Sequence, residues 1–264
     1  MIGKREELVQ DLRTLVEGGF VWGVKAEFEA EGTRYQELVE LIAVARLAGV
    51  KVAVKIGGPE AIRDLLELRA LGVDTVIAPM CESGYAVRKF SEAINRTFGE
   101  QFQGTDFFVN FETTTTWDNR HDFLTEVARS QNIGGVVFGR VDFSLSSGLS
   151  REEINSESVL SAASEVARAC LDCDKLFVVG GGISPLSLPF LKSVAAIGLS
   201  RFETRKIVFN PIILEVESVE NIMLKAVAWE LRWLEYKREG NQKVADEDSS
   251  RIQMLRERRI ANDE

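Results

Sequence analysis

Apolar positions recur along this chain in two alternating rhythms. Short runs rich in Val, Ile and Phe predict strands at 20–28, 51–57, 75–80, 106–112, 135–142, 175–181 and 201–209. Several of these runs are apolar throughout, as parallel strands covered on both faces must be. Between them, apolar residues at helical spacing predict helices at 4–17, 34–48, 59–71, 84–98, 117–131, 156–171 and 185–195. "YQELVELIAVARLAG" keeps the helical period and ends on Gly49, the residue type that closes a helix in the left-handed region. "GGPEAIRDLLELRALGV" places Pro59 at the predicted first turn and closes on Gly72.

Repeated strand–helix units imply a parallel sheet. Seven such strands at this length favour an α/β fold, a (β/α)8 TIM barrel with extra C-terminal helices, over an open doubly wound sheet. The eighth strand is expected to be short or to lie near the N-terminus. After Phe209 the pattern changes. Residues 216–239 predict one long helix with Trp229 and Trp233 four apart on one face. Residues 240–264 are highly charged and read as a second helix or a partly disordered tail. The tryptophan pair is expected to pack on its own barrel or on a neighbouring chain. Residues 1–210 thus form the barrel, and 211–264 a helical extension that would serve as an oligomerisation arm in a homo-oligomer.

The 264 residues are 45% hydrophobic, enough for a sizeable core, and carry a net charge of −9. A pI near 5.0 argues against nucleic acid or an anionic membrane surface as a partner. No G-x-G-x-x-G or G-x-x-x-x-G-K-[ST] loop follows a predicted strand. The first residues lack the apolar segment of a signal peptide, and no run has the length of a membrane span. Three cysteines, Cys81, Cys170 and Cys173, make no disulfide framework, so the expected location is cytoplasmic. Cys170 and Cys173 have no second pair to complete a zinc site. His121, the only histidine, falls inside a predicted helix, which disfavours a Ser-His-Asp mechanism.

Chemistry in a barrel sits at the C-terminal ends of its strands. There this chain carries Glu27, Glu29 and Glu31, then Lys55, Glu82, Glu112, Arg140 with Asp142, the turn "GGGIS", and "RFETRK". Glu112 and Asp142 end consecutive predicted strands, about 5 Å apart laterally. Carboxylates so placed repel unless a proton or a cation lies between them. A hard ion such as Mg2+ suits them, and solvated strand ends or pairing with Arg140 and Lys55 is the alternative. Lys55 and Arg140 could each hold a substrate carboxylate or pair with neighbouring glutamates. The glycine turn before Pro185 could bind an anion or merely turn the chain.

Two segments, "VNFET" and "GRVDFSLSSG", resemble the metal-binding signature of the HpcH/HpaI aldolase and citrate lyase β-subunit family, in the phosphoenolpyruvate/pyruvate barrel superfamily. "LGVDTVIAPMCESGYAVRKF", with Pro79 and Glu82, is similar to the segment preceding it. "KAEFEAEG" loosely matches an acidic segment through Glu27 and Glu29. The resemblance covers roughly residues 20–209. It implies a catalytic barrel with Mg2+, or Mn2+ or Co2+, on Glu112 and Asp142. The implied activity is carbon–carbon lyase, aldolase or synthase chemistry on a pyruvate-like keto acid or a citrate-like carboxylate substrate. Lys55 or Arg140 would bind a carboxylate or oxyanion, and Glu27, Glu29, Glu82 or a metal-bound water would move protons. Three positions depart from the family: Lys55 replaces an arginine, Ala30 stands where aldolases have a histidine, and Arg140 stands where they have a proline. Hydrolytic or other chemistry on a pyruvate-like substrate, and a non-catalytic scaffold, are the competing expectations.

Overall fold

The computed structural model describes residues 2–99 and 104–260. Eight strands close a TIM barrel: β1 (Val21–Glu27), β2 (Lys51–Lys55), β3 (Thr75–Ala78), β4 (Asp106–Phe111), β5 (Gly135–Gly139), β6 (Leu176–Gly180), β7 (Arg201–Glu203) and β8 (Ile207–Phe209). β1 to β7 pair in parallel, with Glu27 opposite Lys55 and Gly139 opposite Gly180. Helices cover the outer face, and the main apolar core lies between them and the sheet. Phe111 and Phe138 stack there at 5.8 Å, and Phe123 meets Phe111 edge-on at 5.3 Å. Gly49 and Gly72 close their helices in the left-handed region, with φ of 79° and 64°. Pro59 precedes its helix, which begins at Ile62.

The eighth strand lies inside the run 201–209, not near the N-terminus. Only Thr204, Arg205 and Lys206 separate β7 from β8. Three residues cannot make the crossover that a parallel pair needs, so β8 runs antiparallel to both β7 and β1. Thr204 makes the turn: its amide donates to the Ile207 carbonyl at 2.9 Å, and its Oγ1 accepts from the Ile207 amide at 3.0 Å. The predicted strand 135–142 is also shorter. It stops at Gly139, and a helix, Arg140–Ser146, starts at once.

The barrel is plugged at its lower end. A register shift between Val21 and Gly23 accompanies Trp22 packing on the small inner cluster of Ala53, Ile77, Phe108, Val137 and Val178. The Arg201 guanidinium lies 3.9 Å from the Trp22 ring centre and 3.4 Å from Asp106. The interior is therefore closely packed below, and opens at the C-terminal ends of the parallel strands.

From Phe209 the chain passes through a 3-10 turn, Pro211–Glu215, into one helix, Val219–Ile260. This single helix replaces the expected break near residue 240. Residues 261–264 of the predicted tail lie outside the described residues. Trp229 and Trp233 stack 6.3 Å apart, both buried on their own barrel, and the Trp229 indole donates to the Leu8 carbonyl at 2.9 Å. From Ala245 to Met254 every side chain is exposed. Among the described residues no helix is long and apolar enough to cross a membrane.

Trp229 joins the long helix to the helix Ile2–Val16. Trp229→Ala removes a large buried side chain and the indole hydrogen bond to the Leu8 carbonyl. It should lower unfolding free energy by about 3–5 kcal/mol, read by urea titration. A loss below about 1 kcal/mol would mean that the helix is not fastened there.

Candidate active site

A cleft of about 510 Å3 opens at the upper mouth of the barrel. Its depth is set by strand parity. On β1, Lys25 and Glu27 point inward, on β2 Lys55, on β4 Asn110 and Glu112, and on β7 Glu203. Gly139 and Gly180 face the same space and leave it open. A Cβ on Gly139 would stand 2.9 Å from the Glu112 Oε2, and one on Gly180 would stand 3.1 Å from the Glu203 Oε1.

The charges in this wall are arranged as a chain. Lys25 Nζ donates to Glu203 Oε1 at 2.6 Å and lies 3.0 Å from Glu27 Oε1. Lys55 Nζ lies 3.3 Å from Glu27 Oε2. Burial alone would push the Lys25 pKa down, but Glu203 and Glu27 outweigh it and hold it far above the lysine range. Burial would likewise raise Glu27, but Lys25 and then Lys55 prevail and keep it below the usual carboxylate range. Lys25 is therefore a fixed ammonium and Glu27 a fixed carboxylate.

Glu112 is the exception. It is 2% exposed, and burial raises its pKa. The Met80 amide donates to Oε1 at 3.0 Å and the Asn110 Nδ2 to Oε2 at 2.7 Å. These bonds and the charge of Lys55 oppose the rise, while the charge of Asp142 adds to it. Met80 holds a positive φ of 52° after Pro79, which aims that amide at the carboxylate. The Asn110 Oδ1 is buried and has no hydrogen-bond partner. Asp142 is exposed in the first turn of the helix Arg140–Ser146 and lines the same cleft.

The predicted site residues separate accordingly. Glu27, Lys55, Glu112 and Asp142 meet in the cleft. Arg140 does not face it: the side chain is 0% exposed and turned behind the sheet. Its Nε donates to the Gly180 carbonyl at 3.3 Å and its Nη2 to that of Gly181 at 2.7 Å. Nη1 reaches the Asn155 Oδ1 at 2.5 Å, and the guanidinium lies 4.8 Å from the Phe190 ring centre. Burial pushes its pKa down to about 10, which still leaves it charged at neutral pH. Arg140 thus ties the loops after β5 and β6 together. Glu29 is exposed beside Gly57, and Glu82 accepts from the Thr113 Oγ1 at 2.7 Å. Neither lines the cleft. Glu31, also at the end of β1, pairs with Lys206.

Sequence reading passed over Lys25 and Asn110, because it considered only residues that end strands, and it named Glu203 only inside "RFETRK", with no role. The signal was present in their parity. Lys25 keeps step with Glu27 and Asn110 with Glu112, so each polar pair shares the inner face. It also passed over Arg151, Val227 and Glu230, which line the cleft with Arg205 from turns and from the long helix.

No family model matches the chain, and no curated protein matches it in sequence. Solved structures do share its fold. An HpcH/HpaI aldolase from Desulfitobacterium hafniense DCB-2 aligns with a TM-score of 0.60 at 18% identity, over 74% of this chain and 82% of that one. An HpcH/HpaI aldolase/citrate lyase family protein from Burkholderia cenocepacia J2315 gives 0.60 at 13%, over 89% and 90%. A variant of the citrate synthase SbnG gives 0.53 at 12%, over 74% and 81%. At these identities the likeness is one of fold.

The raised pKa of Glu112 has a consequence for stability. The native state holds its proton more tightly than the unfolded chain does. Its contribution is therefore greatest below the unfolded carboxylate pKa and is lost as pH rises through the native one. In EDTA, Glu112→Gln should be more stable than the parent near pH 7, with the difference closing toward about pH 4. Urea unfolding of both proteins across that range checks it. A difference independent of pH, or a destabilised variant, would contradict the assignment.

Proposed function

We propose that the chain is a divalent-metal-dependent carbon–carbon lyase of the aldolase type, acting on a pyruvate-like 2-oxo acid or forming one in reverse. The observation that carries this reading is the buried Glu112, both of whose oxygens accept hydrogen bonds, beside Asp142 in a cleft whose inner cations are lysines. The aldolases that share the fold support the same chemistry.

The residues fit an ion of the Mg2+, Mn2+ or Co2+ kind. Glu112 and Asp142 offer only oxygen, as hard cations prefer. Among the described residues no third Asp, Glu, His or Cys joins them, so water and substrate oxygens would complete the shell. Such an ion supplies Lewis-acid stabilisation of the negative charge that grows on the keto oxygen as the C–C bond breaks.

The chain's own groups do the rest. Lys55 faces the cleft as a point charge for the substrate carboxylate. Met80 and Asn110 fix both oxygens of Glu112, so that it presents its outward lone pairs. Lys25 keeps its proton and so acts as a charge, not as an amine nucleophile. Of the three acids considered for proton transfer only Glu27 lines the cleft, and its pairing with Lys25 and Lys55 makes it a fixed charge there rather than a proton carrier. The buried, unpartnered Asn110 Oδ1 is left for an ordered water to satisfy. Exposed Leu224, Val227, Leu231 and Leu234 recur along the long helix and support association of chains into a homo-oligomer.

Oxalate, a mimic of the pyruvate enolate, should raise the melting temperature only when Mn2+ is also present, as mass action on a native-state site requires. Glu112→Gln and Asp142→Asn should abolish that joint response and metal-dependent turnover while folding normally by circular dichroism. A full response in either variant would sink the assignment.

A further inference from the structure

The long helix Val219–Ile260 carries two apolar faces, and its own barrel covers only one of them. Met223, Ala226, Trp229 and Trp233 are buried in the main core, where Trp229 also bonds to the first helix. Leu224, Val227, Leu231 and Leu234 are 44–58% exposed. They follow one another at steps of three, four and three residues. That alternation aligns side chains into a seam of the kind that packs against a second helix. Single apolar side chains on a surface need no partner, but a line of four along one helix marks an interaction face.

The two positions that continue the line are charged. Glu220 stands four residues before Leu224, and Arg238 four residues after Leu234. Both are exposed, and neither makes an ion pair or a hydrogen bond among the described residues. The line Glu220, Leu224, Val227, Leu231, Leu234, Arg238 has the same intervals read from either end, about a centre at residue 229. It is about 27 Å long. A two-fold axis through that centre lays a second copy of the helix antiparallel on the first. Glu220 of each copy then faces Arg238 of the other, Leu224 faces Leu234, and Val227 faces Leu231. Every contact is made twice, as an isologous interface requires. A parallel pair in register would instead set glutamate against glutamate and arginine against arginine, which like-charge repulsion disfavours.

We infer that this face is an interface between two copies of the chain, formed by antiparallel packing of their long helices about residue 229. Each helix stays on its own barrel through Trp229 and Trp233. Val227 also lines the cleft, so Leu231 of the second copy borders it. The pairing rests on the homo-oligomer proposed above and gives it a surface and a geometry; the lyase reading does not depend on it.

Sedimentation velocity of the full chain over a range of concentrations tests this. The parent should sediment as a dimer or as an even multiple of the chain. Leu224→Asp/Leu231→Asp changes only exposed positions. It should halve the assembled mass while keeping the parent's circular dichroism. Glu220→Arg alone, or Arg238→Glu alone, places like charges face to face at both ends of the seam. Either should weaken association about tenfold. Combining the two restores opposite charges and should recover the parent's affinity, a rescue that a structural role within one chain would not give. A parent that stays monomeric overturns both the seam and the homo-oligomer. An assembly that survives the aspartate variant overturns the seam and leaves a homo-oligomer built on another face. Single charge variants that associate as the parent does overturn the antiparallel register.

Discussion

A lysine cannot be buried inside a barrel without a partner, and that constraint organises the upper half of this one. Lys25 sits where the packed interior ends and the cleft begins. Its charge is kept by Glu203 on β7, two strands away, and by Glu27 two residues on. Glu27 in turn holds Lys55. Breaking one member would leave another charge desolvated and unpaired, which costs far more than the pair itself contributes. The chain of charges thus fixes the ends of β1, β2 and β7 relative to one another. Glu112 stands next to it without an anchoring cation of its own. Its desolvation costs stability, and among the described residues its two oxygens are held only by the Met80 amide and the Asn110 side chain.

The same constraint explains the departures of the scaffold. Glu203 and Thr204 must sit at the mouth, and the three-residue turn that follows forces β8 to run backward. The helix that ordinarily follows an eighth parallel strand is then absent. In its place the long helix climbs from the lower face and lays Val227 and Glu230 on the rim. Glu230 holds the turn, and Lys206 reaches back to Glu31 beyond β1. The mouth is therefore closed on one side by the extension that follows the barrel.

Much of this was legible in the sequence, because periodicity and strand composition report burial directly. The parallel strands and most covering helices fall where their apolar rhythm puts them. The end of "FFVNFE" reads as a carboxylate on the inner face, since Phe108, Asn110 and Glu112 share parity. "RFETRKIVF" hid two strands, because Thr204 makes its turn with side-chain hydrogen bonds and uses neither Gly nor Pro. Arg140 misled for another reason. A charge after a strand suggests solvent, but the free carbonyls of the glycine turn and Asn155 let a guanidinium be buried. Parity would have warned of it, since Gly139 points inward and Arg140 therefore outward. Glu29 and Glu82 lie beyond their strands, where no parity applies. Asp142 stands on a helix that starts without a break, and its run "GRVDF" carries no stop signal.

The central claim is that Glu112 and Asp142 place a divalent ion where it stabilises an enolate of pyruvate. Exchange of the pyruvate methyl protons into deuterium oxide, followed by proton NMR, tests that directly and needs no knowledge of the second substrate. The account predicts exchange above the buffer rate with the parent protein and Mg2+ or Mn2+. It predicts the buffer rate in EDTA and in the Glu112→Gln and Asp142→Asn variants. Exchange that is equal with and without metal, or that survives both substitutions, would contradict it.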